Sequence, residues 1–195
     1  MILIIASCRD KLHYYEFVKP IENILKELKI PYTIKPISKL ADSDFHNFEK
    51  IIISGTSLKD NFYLEQKDKY SELANSNIPI LGICAGMQII GVSYFIAQDS
   101  RNKNKINHIL SEGNEIGFYR EFFQKEFLSL KGEQEVYHLH NNTLDFSKLP
   151  EFEIISKNNN VVQAVKHKTK EVYGVLFHPE VRQKEIIKSF LKIKS

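Results

Sequence analysis

Cys84 stands in the run Gly82-Ile83-Cys84-Ala85-Gly86-Met87-Gln88, directly after the apolar stretch Pro79 to Ile83. A strand, then Gly-x-Cys-x-Gly, then a helix is the sequence form of a nucleophile elbow. There the reactive side chain sits on a sharp, strained turn at the top of a strand. Glycines two residues before and after the cysteine remove side chains that would crowd such a turn. The helix starting at Ala85 directs its free N–H groups and positive dipole end at the sulfur, which reacts as its thiolate. The N–H of Ala85 is also placed to stabilise an oxyanion. The same residues would equally suit a glycine-lined turn around a buried, inert cysteine.

A thiol nucleophile needs a base, and the base needs a group that holds its tautomer. His178-Pro179-Glu180 follows the apolar run Val172 to Phe177. Pro179 biases His178 toward an extended backbone. Residues two apart in an extended chain point the same way, so Glu180 can lie beside the His178 ring. Both segments fall at the C-terminal ends of expected strands, where open α/β sheets place their sites. Of the other histidines, His13, His46, His108 and His167 lie in polar surroundings and read as surface residues. His138 and His140 form a His-x-His whose side chains would share one face of a strand. The sequence offers them no third ligand, so no metal site is expected.

The elements that must position these residues follow from apolar spacing. Strands are expected at Leu3 to Ala6, Tyr32 to Lys35, Lys50 to Ser54 and Pro79 to Ile83. Phe17, Ile21, Ile24, Leu25 and Leu28 recur at helical spacing, so a helix is expected from Tyr15 to Lys29. A helical stretch is expected up to Asn75, and a further helix from Ala85 to Ala97. The second half carries shorter β-like segments at Glu135 to Leu139, Phe152 to Ser156, Val161 to Lys166 and Glu171 to Phe177. Asn158-Asn159-Asn160 reads as a hairpin turn, and Val181 to Ile193 as a closing helix. This order predicts a three-layer α/β fold, with a mostly parallel sheet flanked by helices and a small antiparallel addition.

Composition sets the outer limits. The 195 residues suit one domain spanning the chain, and the net charge is +3. Lysines and glutamates are interspersed, so nucleic acid is not an expected partner. The densest basic stretch, Arg101 to Lys105, reads as a solvated loop. No apolar run reaches the roughly 20 residues needed to span a bilayer. The apolar start, Met1 to Ala6, reads as a buried strand, and the cytosol is the default location. Cys8 and Cys84 are the only cysteines, and a disulfide is not expected.

Taken together, the two blocks resemble the class I glutamine amidotransferases, whose glutaminase domain carries a Cys-His-Glu triad. Gly82, Cys84, Gly86 and Gln88 match the family pattern G-x-C-x-G-x-Q, and Gly174 with Phe177-His178-Pro179-Glu180 matches G-x-x-F-H-P-E. The resemblance covers essentially the whole chain. It implies a flavodoxin-like fold, no cofactor, and hydrolysis of glutamine through a γ-glutamyl thioester on Cys84. His178 and Glu180 would complete the triad, and ammonia would pass to an ATP-using synthetase partner. The chain itself has no Walker-type nucleotide loop. Ser54-Gly55 resembles the start of the family's oxyanion loop, which implies roles for Gly55 and Thr56. Glu115-Ile116-Gly117 and His140 resemble further landmarks, with Leu139, His140 and Gln88 near the bound glutamine. The layout is similar to that of the separate glutaminase subunits of archaeal-type GMP synthases.

The chain departs from the family pattern at several places. Thr56-Ser57 replaces Gly-Pro in the oxyanion loop, and a threonine there would resist a positive φ. Leu139, Asn141 and Asn142 replace Ser, Gly and Asp around His140. Leu176 replaces a glutamine, and Tyr94 to Ala97 replaces Phe-Gly-Gly. These changes leave open a hydrolase of another γ-glutamyl amide, or a non-catalytic regulatory module of the same fold.

Overall fold

The computed structural model describes residues 1–193. Seven strands form the central sheet: β1 (Ile2–Ala6), β2 (Tyr32–Pro36), β3 (Lys50–Ile53), β4 (Ile80–Ile83), β7 (Phe152–Asn158), β8 (Val161–His167) and β9 (Val172–Val175). Their spatial order is β2-β1-β3-β4-β9-β8-β7. The first five in that order run parallel, and β8 and β7 extend the sheet antiparallel. Residues of β1, β3 and β4 are almost wholly inaccessible, as expected for strands covered on both faces.

Alternation along β1 divides the core. Leu3 and Ile5 join Ile51, Ile53 and Ile80 on the face covered by α2 (Ala85–Gln98). Ile2 and Ile4 join Ile52, Leu81 and Ile83 on the other face, covered by α1 (Lys19–Glu27) and α3 (Glu185–Lys192). The helix α2 is apolar all round because it is enclosed by the sheet and by the segment between β3 and β4. The result is the three-layer arrangement that the order of elements predicts.

Several boundaries differ from expectation. The first helix is regular only over Lys19–Glu27, after a wide π turn at Tyr14–Val18. Pro20 has no N–H to donate back to Glu16, so a continuous α-helix through this point is interrupted. The stretch up to Asn75 contains only single turns, Phe62–Glu65 and Lys67–Tyr70, and a 3-10 segment, Ser71–Asn75. The closing helix starts at Glu185, because Gln183 adopts φ +81°. Asn159 and Asn160 both have positive φ, as a type I′ hairpin turn requires. Arg101 and Lys103 are tied locally to Asp99 and Asp68.

The largest departure is a long antiparallel hairpin, β5 (Leu110–Phe127) with β6 (Leu130–Leu144), which forms a separate two-stranded sheet. Of this hairpin, the sequence pattern announces only Glu135 to Leu139. Its outer face leaves Ile116, Phe118 and Phe122 exposed. Its inner face sends Phe123, Phe127, Leu130 and Val136 into the core on the α1/α3 side. The sequence signal is weak because one strand face carries apolar residues outward while the inward face alternates Glu115, Tyr119 and Glu121 with Phe123.

One buried charge anchors α1 to the sheet edge. Glu22 accepts hydrogen bonds from Tyr32 of β2 at 2.7 Å, Lys19 at 2.9 Å and Tyr14 at 3.0 Å, and pairs with Lys26 at 2.5 Å. The bond from Lys26, followed by that from Tyr32, pulls its carboxyl down to about 2 from an ordinary 4.5. The folded-state pKa is the lower one. The contribution to stability is therefore present above about pH 4.5 and is lost as the pH falls toward 2. In urea titrations across this range, wild type should lose more stability on acidification than Glu22→Gln. Parallel acid limbs for the two proteins would contradict the assignment.

Candidate active site

Three adjacent parallel strands deliver the site. Ile53 of β3 pairs with Gly82 of β4, and Ile83 of β4 pairs with Val175 of β9. Gly55, Cys84 and His178 lie just beyond these pairs, at the C-terminal edge of the sheet. Cys84 has φ 51° and ψ −107°, a region that costs a non-glycine residue about 1–3 kcal/mol. Its N–H donates to Val175 O at 2.8 Å, and its carbonyl accepts from the N–H groups of Met87 and Gln88 in the first turn of α2. The turn is held from both sides. A Cβ on Gly82 would approach the Gly86 carbonyl to 2.5 Å, so this elbow closes only with glycine there.

His178 and Glu180 are both buried, at 1% and 2% exposure. The His178 Nδ1 lies 2.7 Å from Glu180 Oε1. A carboxylate only accepts, so Nδ1 carries the hydrogen and Nε2 is the nitrogen left for the thiol. Nε2 has no other hydrogen-bond partner among the described residues. Burial opposes charge on this imidazole, but the Glu180 carboxylate and the neighbouring Cys84 sulfur hold its pKa well above the ordinary value. The ring is further fixed by Phe17, with centroids 5.3 Å apart, and by Tyr137 at 6.4 Å. The backbone N–H of His178 donates to Tyr137 O at 2.8 Å, which ties the β9 exit to β6. Together these groups provide a thiol, a base and an orienter in the order that acyl transfer requires.

The Gly55–Thr56 segment lies directly against this pair. A Cβ on Gly55 would meet His178 Cε1 at 2.6 Å and Cys84 Cβ at 3.3 Å. Ser7 Oγ donates to Gly55 O at 2.9 Å or to Ser54 O at 2.7 Å. In a trans peptide the N–H points opposite to the carbonyl, so the Thr56 N–H is turned away from Ser7. Thr56 is not among the residues with positive φ, so the threonine sits in this loop without the strain its side chain would otherwise bring. Its hydroxyl donates to Asp60 Oδ2 at 2.9 Å. Asp60 also accepts from the Arg9 N–H at 2.8 Å and lies 3.2 Å from His13 Nδ1. Although burial opposes its charge, these bonds hold its carboxyl below the ordinary value. No sequence signal marks Phe17, Tyr137, Ser7 or Asp60 as part of the site, because each acts through a contact between distant segments. His13 is correspondingly a loop anchor rather than a free surface residue. His167 is likewise buried, with Nδ1 accepting from the Thr169 and Lys170 N–H groups.

The other expected residues converge on the same place. Thr56, Cys84, Ala85, Gln88, Leu139 and His140 line one small cavity. The Cys84 thiol faces Leu139 O at 3.7 Å. The Gln88 amide is fully engaged, donating to Asn142 O at 2.8 Å and accepting from the Tyr63 hydroxyl. His140 turns its ring away from the cysteine, toward Gly113 O at 3.0 Å and Glu115 Oε2 at 2.9 Å. Glu115 also lies near His138, so the expectation that the His-x-His lacks a third ligand is not met. The cavity holds only about 10 Å³, enough for one water. Asn141 Nδ2 donates to Leu58 O, and Asn142 Nδ2 donates to Asn61 Oδ1 at 2.9 Å. These bonds latch the 56–63 loop onto β6. Beyond the latch lies an open cleft of about 740 Å³, lined by Arg9, His13, Phe17, Leu58, Asp60 and Leu139.

The two cysteines should differ in reactivity. Burial is the main influence pushing the Cys8 thiol up to about 11, so it stays protonated at neutral pH. Iodoacetamide at pH 7 should modify Cys84 of the native chain and leave Cys8 untouched, as read by peptide mass mapping. Gly55→Ala should slow that modification, because its Cβ displaces the His178 ring. Equal labelling of both cysteines would contradict this reading.

The model of the family described as glutamine amidotransferase class-I matches residues 12–194. The chain is 33% identical over 187 residues to the glutamine-hydrolysing GMP synthase subunit of Methanococcus aeolicus, covering 91% of this chain and 92% of that one. It is 30% identical over 188 residues to the same subunit of Methanocaldococcus jannaschii, with the same coverage. Against the glutamine-hydrolysing GMP synthase of Borreliella burgdorferi it is 31% identical over 170 residues, 83% of this chain but 30% of that longer protein. A crystal structure of the corresponding GMP synthase subunit from Thermoplasma acidophilum superposes with a TM-score of 0.77 at 21% identity, over 98% of this chain and 92% of the other. That likeness bears on the fold alone, and it agrees with the sheet order and the small antiparallel sheet described above. The family match over nearly the whole chain, and relatives at 30% identity or more along its length, establish that this protein belongs to the class-I glutamine amidotransferases.

Proposed function

We propose that the chain is a single-domain glutaminase subunit that hydrolyses glutamine and passes ammonia to a separate ATP-using synthetase of the GMP synthase type. The observation that carries this is the buried Cys84–His178–Glu180 arrangement, with His178 Nδ1 held by Glu180 and Nε2 left for the thiol. The length match to the free-standing glutamine-hydrolysing subunits of the methanococcal GMP synthases supports the partner assignment.

In this reading the Cys84 sulfur attacks the γ-carbonyl carbon of glutamine. The oxyanion is received by the N–H groups of Ala85 and of the Gly55–Thr56 loop. The C–N bond breaks as the His178 imidazolium gives its proton to the leaving nitrogen, releasing ammonia. Water then attacks the γ-glutamyl thioester while His178 takes its proton. The C–S bond breaks, and glutamate leaves with the thiol restored. Glu180 keeps the imidazole in the working tautomer and stabilises its charged form. Leu139, His140 and Gln88 shape the wall that receives the substrate. These steps call on no cofactor or metal.

Ammonia release from glutamine should fall about 10⁴-fold or more in Cys84→Ala. Glu180→Gln should lower kcat with a smaller change in KM. Undiminished turnover in Cys84→Ala, or faster turnover of another γ-glutamyl amide than of glutamine, would overturn the proposal. The loop latch generates a second expectation. Glutamine cannot enter a cavity of about 10 Å³ until the 56–63 loop parts from β6. Asn141→Ala removes one latch bond, and kcat/KM of the isolated chain should rise about 2- to 10-fold, the weight of one net hydrogen bond. An unchanged kcat/KM would show that the latch does not limit access.

A further inference from the structure

The inner face of the β5–β6 hairpin buries an unusual set of polar groups. Glu115 stands directly across the hairpin from His140, and His138 lies two residues along the same strand. The side chains of His138, His140 and Glu121 are 0%, 1% and 1% exposed, and that of Glu115 is 12% exposed. Among the described residues, neither carboxylate pairs with a lysine or arginine. Two carboxylates are thus placed in a nearly dry site with only two imidazoles for company.

The hydrogen-bond chemistry of this group does not close by itself. His140 Nδ1 lies 3.0 Å from Gly113 O, which can only accept, so Nδ1 carries the hydrogen. Nε2 of the neutral ring then directs a lone pair at Glu115 Oε2, 2.9 Å away. Two acceptors at that distance repel unless positive charge lies between them. His138 repeats the problem. Nδ1 is 3.6 Å from Glu115 Oε2, and Nε2 is 3.4 Å from Glu121 Oε1. A neutral imidazole has one N–H, so one of these nitrogens also faces a carboxylate with a lone pair. Neither His138 nitrogen has a hydrogen-bond partner among the described residues, although the ring is fully buried.

We propose that Glu115, His138 and His140 form a binding site for one divalent transition-metal ion of the zinc class. One ligand atom from each of the three residues lies within 4.8 Å of the others. Tetrahedral zinc with bonds of about 2.0–2.2 Å separates its ligand atoms by about 3.3–3.5 Å. The measured separations of 2.9 and 3.6 Å bracket that value. A doubly charged ion also balances the two carboxylates. The outer contacts fit the same reading. Gly113 O fixes the His140 tautomer with Nε2 free, Glu121 is placed to take the Nε2 hydrogen of His138, and Gln163 Nε2 donates to Glu115 Oε2 at 2.8 Å. Two imidazoles with a carboxylate suit zinc rather than calcium or magnesium. The site is separate from the chemistry at Cys84, and its existence does not depend on the glutaminase reading. Its effect would be positional, since Leu139 lies between the two histidines and presents its carbonyl to the Cys84 thiol.

The test is a titration of the chelator-stripped full chain with Zn²⁺, using a competing chromophoric chelator, and with Co²⁺, using visible absorption. The Cys84→Ser chain is titrated in parallel, because a thiol beside His178 could itself take metal. The expected result is one ion per chain in both proteins and a tetrahedral Co²⁺ spectrum without a sulfur charge-transfer band. Affinity should fall at least about 100-fold in His138→Gln and in Glu115→Gln. Binding of no ion, binding lost in Cys84→Ser, or binding unaffected by His138→Gln would overturn the proposal. Should either variant fail to fold, the imidazole ¹⁵N resonances of the intact chain decide. Zn²⁺ should shift those of His138 and His140 together. Unshifted resonances would overturn the proposal and mean that protons neutralise the cluster instead.

Discussion

The site depends on the register of three parallel strands. Ile53 opposite Gly82, and Ile83 opposite Val175, bring the exits of β3, β4 and β9 to one level at the sheet edge. The oxyanion-loop candidate, the thiol and the base each leave the sheet within three residues of a paired position. A slip of one residue in any of these strands would turn its side chains to the opposite face. The backbone is packed so closely that this register tolerates no extra atoms. Gly55 lies against the His178 ring, and Gly82 against the carbonyl of Gly86. The strained φ of Cys84 is sustained by the same constraint, through its N–H bond to Val175 and the first turn of α2.

The long hairpin adds the wall that the parallel sheet cannot supply. Strand β6 runs across the open edge and makes one contact to each part of the site. Tyr137 O holds the His178 N–H, Leu139 O faces the Cys84 thiol, and Asn142 O accepts from Gln88. Asn141 and Asn142, which stand where the family pattern has Gly and Asp, use their side chains to hold the 56–63 loop closed. The open cleft and the closed cavity are thus two parts of one path, divided by that loop. Whatever moves β6 or the loop changes access to the thiol without touching the triad itself.

The buried polar groups sort by how completely they are satisfied. Glu22 and Asp60 each gather several donors and hold elements together, Glu22 at the sheet edge and Asp60 under the oxyanion loop. Glu180 has one strong partner, His178, and spends its interaction on orienting that ring. The group around His138 is different, because its donors and acceptors do not match. That mismatch, rather than the presence of histidines, marks it as a place where a cation belongs.

The central strands, α2 and the triad were legible because each is encoded locally. Continuous apolar runs specify strands covered on both faces, Gly-x-Cys-x-Gly specifies the elbow, and His-Pro-Glu places the orienter two residues from the base. Asn159 and Asn160 specify their turn for the same reason. The interruption of the first helix at Pro20 was also written in the chain, but the apolar spacing across it hid the break. What the sequence left unresolved lies in contacts between segments far apart in the chain. The extent of β5–β6 depends on cross-strand pairing, and its apolar residues point outward as well as inward, so no clean period announces it. The roles of Ser7, Phe17, Asp60 and Tyr137 arise only when their strands and loops meet at the sheet edge. Glu115 became a candidate third ligand because antiparallel register set it opposite His140, 25 residues away along the chain. The chemistry available to this protein is determined by local patterns of residue type. Its arrangement, closure and buried charge balance were decided by tertiary structure, because they depend on distances that no short segment specifies.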